Sequence, residues 1–238
     1  MTRPALVCCS HGTDSLEGRA VISAIVGAAA SLVGVPTYET YVDVQYPQID
    51  EVVASFDGPA VIVPLLLSPG FHTSVDIGRA ASSREGLVAA GTLGPDPMLA
   101  DILVDRLAAA GLRDGDRVVL AASGSSRPEA AARVEEVLAA LAARIPQPVT
   151  VGYAYGATPK VADAVAEARG DGRVVVASYV LAPGHFANLV AAAGADVVTD
   201  PLGLAPDGSA EPRIAQIVAA RYAGMVGVYE PELSGPTV

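Results

Sequence analysis

"LVCCSHGTDS", residues 6–15, carries a short apolar run into a histidine and then into a Gly-Thr-Asp-Ser turn. An apolar run this short, closed by turn formers, reads as a buried strand. Thr13 and Asp14 then offer side-chain oxygens to the free N–H groups of a following helix. The pattern recurs along the chain. Strands are expected at 5–9, 37–44, 60–66, 88–93, 117–122, 149–155, 173–180 and 196–199, separated by Ala-rich stretches of helical period. Pro47, Pro97, Pro128 and Pro159 are expected to open helices, since the first turn needs no N–H. This alternation predicts an α/β fold of βα units around mainly parallel sheets flanked by helices.

The chain has 238 residues, 51% of them hydrophobic, which is ample for a packed core. Its net charge of −11 argues against nucleic acid and against anionic membranes, both of which need clustered Lys and Arg. Cys8 and Cys9 are adjacent, so on a strand they point to opposite faces and read as buried thiols in a reducing compartment. The start lacks the long apolar segment of a secretory signal. The uncharged run from Ala20 to Pro36 barely reaches spanning length and reads as a packed helix. A soluble, cytoplasmic protein is expected.

"AAAGLRDGDR", ending at Arg117, supplies a linker, and the sequences on either side of it match as copies. His11 faces Ser123, Asp43 faces Tyr155 and Pro47 faces Pro159, each 112 residues apart. "LSPGFH" faces "LAPGHF", with His72 against Phe186 and His185 displaced by one position. The expected organisation is an N-terminal half over 1–113, a duplicated C-terminal half over 114–228 and a loosely ordered tail over 229–238. The ionisable groups of the first copy are gone from the second. Histidines required only for packing would be expected in both.

His11 follows the first expected strand, Asp43 closes the second and His72 follows the third. In an open parallel sheet the carboxyl ends of the strands share one edge, and ligands bind beyond it. Two imidazoles and a carboxylate suit a divalent Fe, Co, Ni or Zn ion. The Pro69-Gly70 turn before His72 leaves backbone approachable by a flat ligand.

"LVCCSHGTDSLEGR", "YVDVQYPQIDEVV", "VIVPLLLSPGFHTSVDI" and "LGPDPMLADILVDRL" resemble the successive motifs of the sirohydrochlorin chelatase family, the class II chelatases of sirohaem and cobalamin synthesis. The degenerate second half fits the family's long, internally duplicated form. The resemblance implies two similar chelatase-like α/β halves facing across a cleft. It implies ATP-independent insertion of Fe2+, Co2+ or Ni2+ into a tetrapyrrole, with the ion a substrate and no cofactor permanently bound. His11 and His72 match the family's active-site histidines, and with Asp43 they form the implied metal set. Ser10, Gly12 and Thr13 from the first motif, and Ser68 and Gly70 from the third, are the expected substrate contacts. Thr13 stands for the commoner serine, Gly78 for a usual proline and Asp43 for the longer Glu.

Insertion requires the metal to shed ligands and the macrocycle to lose two N–H protons. Neutral imidazole can ligate or accept a proton, so His11 and His72 share both tasks here without a division between them. Protonated imidazole can do neither, and activity is expected to fall on acidification through about pH 6. The implied substrate is a polycarboxylate, which a negative chain repels at long range. Helix N-termini after Thr13 and His72, together with Arg19, Arg79 and Arg127, are the candidate local donors. The expected partners are a tetrapyrrole and a divalent metal, taken up by a monomer that closes its own cleft. A carrier that binds without turnover would use the same groups. A histidine phosphatase would need a guanidinium where Ser10 stands.

Overall fold

The structure is a computed structural model that describes residues 3–233, with side chains at all of these except 71–74 and 228–233. The first half holds β1 (Ala5–Ser10), α1 (Leu16–Val33), β2 (Thr37–Tyr41), α2 (Ile49–Ala54), β3 (Ala60–Pro64), α3 (Phe71–Ala81), β4 (Leu87–Ala89) and α4 (Pro97–Ala109). The second holds β5 (Arg117–Ala122), α5 (Pro128–Ala142), β6 (Val149–Tyr153), α6 (Val161–Ala168), β7 (Val174–Tyr179), α7 (His185–Ala191), β8 (Val197–Val198) and α8 (Pro212–Leu233). They form two four-stranded sheets, ordered β2-β1-β3-β4 and β6-β5-β7-β8. Every strand pair is parallel. These are the two similar α/β halves, each with a parallel sheet flanked by helices, that the sequence predicts.

Both faces of β1 are covered, which is why its residues run apolar without alternation. Leu6 and Cys8 face a core shared by the two halves, while Val7 and Cys9 face the cluster under α2 and α3. Burial pushes the Cys9 thiol up to about 12, with the Asp76 charge adding to it, and raises Cys8 further still. Neither is a thiolate near neutral pH.

The helices do not stay with their own sheets. α4, which ends the first half, packs on β7 of the second sheet and on α5. α8, which ends the second, packs on β3 of the first sheet and on α1. Charged contacts repeat the exchange. Arg106 on α4 reaches Glu211 at 3.2 Å and the carbonyl of Leu204. Arg221 on α8 donates to the carbonyls of Thr92 at 2.9 Å and Leu93 at 2.8 Å and pairs with Asp96 at 3.3 Å. Asp96 and Glu211 each sit directly before the proline that opens a crossed helix, so the two arms are related as copies.

Several expectations are corrected. Pro97 and Pro128 do open α4 and α5, but Pro47 and Pro159 do not open α2 and α6. Both follow cis peptide bonds, and their carbonyls accept the N–H groups of Tyr41 at 3.2 Å and Tyr153 at 3.0 Å, closing the ends of β2 and β6. Gln48 and Lys160 then stand as N-caps. α1 is capped by Ser15, whose hydroxyl accepts from the N–H of Gly18 at 3.1 Å, and not by Thr13 or Asp14. Within the tail expected over 229–238, residues 229–233 continue α8, and 234–238 lie outside the described residues.

α1 is, among the described residues, the helix long and apolar enough to cross a bilayer. Its Val21, Ile22, Ile25, Val26, Ala29 and Val33 are buried in the shared core, against α8.

Candidate active site

His11 and Asp43 occupy adjoining loops on the carboxyl edge of the first sheet. β1 pairs with β2 in register through Ser10 and Tyr41, and the ladder runs on past the strands. The N–H of Val42 donates to the Ser10 carbonyl at 3.0 Å, and that of Asp43 to the His11 carbonyl at 3.1 Å. Gly12 lies at φ 95°, and a Cβ there would overlap the Asp43 carbonyl oxygen, so only glycine lets the loops approach this closely. The N–H of Thr13 donates to Gln45 Oε1 at 2.9 Å, a second tie between the loops. Both His11 and Asp43 are exposed.

Asp43 is further held by a reverse turn. The N–H of Gln45 donates to the Asp43 carbonyl at 2.5 Å, and the N–H of Val44 to Asp43 Oδ1 at 2.8 Å. Val44, at the centre, has φ 60°. It is the only non-glycine residue at positive φ among the described residues.

The second half rebuilds this framework with other side chains. The N–H of Ala154 donates to the Ala122 carbonyl at 2.9 Å, Tyr155 to Ser123 at 2.9 Å and Ala157 to Tyr155 at 2.8 Å. Gly124 at φ 84° takes the place of Gly12, and a Cβ there would overlap the Tyr155 carbonyl. What changes is chemistry: Ser123 for His11, Tyr155 for Asp43, Ala122 for Ser10, and Gly156 for Val44. The duplication keeps the backbone framework and exchanges the side chains set on it.

The third loop follows β3, which pairs with β1 on the side opposite β2. Leu65 continues the ladder with its N–H on the Cys9 carbonyl at 2.8 Å. The chain then passes Ser68 to Gly70, the N-cap of α3. His72 is the second residue of that helix, so its backbone shares the sheet edge with His11 and Asp43; its side chain lies outside the described ones. Among the described residues, which leave out the His72 side chain, no three His, Cys, Asp or Glu side chains gather as a metal-holding group.

A family model described as CbiX matches residues 5–110 and, a second time, residues 117–223. The chain belongs to the CbiX family. A probable sirohydrochlorin cobaltochelatase from Halobacterium salinarum is 33% identical over 88 residues, which is 30% of this chain and 30% of that relative's length. SirB from Bacillus subtilis with Fe3+ matches with TM-score 0.78 at 18% identity, over 97% of this chain and 98% of that one. CbiX, described as the terminal enzyme for sirohaem biosynthesis in denitrifying bacteria, matches with TM-score 0.66 at 22% identity, over 92% and 99%. At such identities the structures speak for the shared fold.

In this CbiX-family chain the remaining sequence candidates divide by what already holds them. Thr13 is engaged: its hydroxyl accepts from the Ser15 N–H at 3.1 Å and its carbonyl from Arg19 Nε at 2.8 Å. Arg79 is tied to Asp50 at 2.7 Å and Asp76 at 3.0 Å. These arginines are therefore not the free donors the sequence suggests. Ser10 differs. Its Oγ is buried without a hydrogen-bond partner among the described residues, a condition that costs about 1–3 kcal/mol. The copy, with Ala122 at this position, carries no such hydroxyl.

The second half also reaches this edge. The Pro183 carbonyl packs against Gly18 of α1 so closely that a Cβ would overlap it. A Cβ on Gly184 would stand 2.9 Å from Thr13 Oγ1. The loop after β7 therefore abuts the loop after β1, bringing the carboxyl edges of the two sheets together.

Proposed function

We propose that this protein inserts a divalent cation, Fe2+ or Co2+, into sirohydrochlorin without ATP, in sirohaem or cobalamin biosynthesis. The observation that supports the reading is the duplicated loop framework: its backbone hydrogen bonds recur in both halves, yet His11, Asp43 and Ser10 occur in one of them. A side-chain set dispensable to the framework that bears it is there for chemistry. Membership of the CbiX family directs that chemistry to metal chelation. His11 and His72 are the metal ligands and proton acceptors, and Asp43 is the third ligand. Ser10, Gly12, Thr13, Ser68 and Gly70 line the substrate. The ion is a substrate, no prosthetic group takes part, and the monomer acts in the cytoplasm.

Two protons must leave the macrocycle as the cation enters, and a neutral imidazole beside the ring can take one without a strong base. The carboxylate contributes negative charge that favours the arriving cation over the protons it displaces.

The test is anaerobic mixing of metal-free sirohydrochlorin with Fe2+ or Co2+ at enzyme concentrations well below substrate, followed by the visible spectrum. Many turnovers are expected from the wild type and a loss of about 100-fold or more from His11→Ala or His72→Ala, in the range of general acid–base contributions. Conversion of a single equivalent would make the protein a carrier. Unchanged turnover in both variants would remove the residue assignment.

A further inference from the structure

We propose that Lys160, with the ring of Tyr155 beside it, is the docking point for the peripheral carboxylates of the macrocycle; this rests on the function proposed above and names the group that reads the substrate's anionic rim. Lys160 is the only lysine in the 238 residues. It is the N-cap of α6 and bridges to Tyr153, which sets it on the carboxyl edge of the second sheet. It is exposed, and among the described residues it forms no salt bridge. Its Nζ instead lies 5.8 Å from the centre of the Tyr155 ring. That contact steers the ammonium while leaving its three N–H donors free for an anion.

Tyr155 occupies the place that Asp43 holds in the first half and is 66% exposed. Its turn is fixed from below, since a Cβ on Gly156 would stand 2.8 Å from the Ser125 backbone. The duplication has thus replaced an acid by a flat apolar face and, 112 residues on from Gln48, a neutral side chain by a cation. Both exchanges run the same way. They turn an edge suited to a cation into one suited to an aromatic anion.

The surroundings agree. Leu16, Val44 and Tyr46, also exposed, join Tyr155 in the loops and opening turns that follow strands. The two carboxyl edges meet at Gly18–Pro183 and Gly184–Thr13, so apolar loop residues of both halves lie on edges that adjoin. A macrocycle laid on them has its π-face covered and its carboxylates at the margin, where a chain of net charge −11 must supply a local cation.

The test measures binding and turnover with the full chain as wild type, Lys160→Glu and Lys160→Arg. The probes are uroporphyrin, an octacarboxylate, and mesoporphyrin, a dicarboxylate, each titrated by fluorescence without metal at two salt concentrations. An exposed ion pair contributes up to about fivefold to an equilibrium constant, and reversal adds repulsion of similar kind. Lys160→Glu should therefore weaken uroporphyrin about five- to tenfold and mesoporphyrin less than twofold, with a shallower salt dependence. Lys160→Arg should stay within twofold of wild type. With sirohydrochlorin and Co2+, the Glu variant should raise KM and leave kcat unchanged. An unchanged thermal melt checks that it folds. Uroporphyrin affinity within twofold of wild type in the Glu variant, or equal weakening of both porphyrins, overturns the proposal, as does a wild type that binds neither. A wild type that binds uroporphyrin but metallates nothing defeats the function proposed above, while the affinity comparison still decides the role of Lys160.

Discussion

Val44 holds a conformation that a β-branched side chain resists, at a cost of about 1–3 kcal/mol. In the second half, the matching turn places Gly156 at φ 70°, where the strain is absent. The strained version survives beside Asp43 and not beside Tyr155. Val44→Gly should therefore stabilise the fold by about 0.5–1 kcal/mol, the steric relief exceeding the added chain entropy of glycine. Denaturant midpoints will read this. Metallation by the variant should fall several-fold, because the turn orienting Asp43 then has other conformations open to it. Higher stability with unchanged activity would show that the turn serves geometry alone.

Glycines on α1 supply a matched test for the element. Gly27 has open space around its Cα, so Gly27→Ala should gain up to about 1 kcal/mol of helix propensity. Gly18→Ala makes the same intrinsic gain and places its methyl group on the Pro183 carbonyl, a backbone atom that no rotamer change can move. A fall in melting temperature for Gly18→Ala beside a rise for Gly27→Ala is expected. The elements themselves were largely legible in the sequence, since apolar runs and proline or glycine punctuation mark all eight strands. The strands end earlier than the expected 37–44, 60–66, 88–93 and 149–155, because residues such as Val42, Leu65, Leu66 and Leu93 stay apolar in loops that cover the core after the chain has left the sheet. Pro47 and Pro159 misled for a related reason: they close strand ladders before the helices begin. Of the site, the first-half residues stood out through the duplication. Lys160 and Tyr155 did not, since a lysine and a tyrosine beside a turn read in a sequence as ordinary solvated surface. Nor does alternation of strand and helix say which sheet a helix will cover, so the exchange of α4 and α8 left no trace.

At the scale of the molecule, Arg106 and Glu211 are the pair to break. Both are almost wholly buried, and removing one partner strands the other's charge. Glu211→Gln should cost about 3 kcal/mol or more by chemical denaturation. Acid should act on the same network. Burial pushes the Glu211 carboxyl up, but hydrogen bonds from Arg213 and Arg106 outweigh it and leave it below the usual range. The Arg173 guanidinium likewise holds Asp116 below the usual range. Groups with depressed folded pKa values bind fewer protons than the unfolded chain, so the stability they add is complete above about pH 4–5 and is lost as pH falls further. Melting temperature should be nearly level from pH 8 to pH 5 and drop below about pH 4; a decline already under way at pH 6 would assign the loss to other groups.

Under the function proposed above, the traded helices bear on how a rigid macrocycle would get in and out. Two lobes joined by one strap can gape like a bivalve, whereas here each lobe grips the other through its own last helix, and opening would have to tear both grips together. A macrocycle would then have to pass edgewise between the two carboxyl edges, with only the strand-end loops giving way. The speed of release would then be a property of those loops, with the scaffold behind them still.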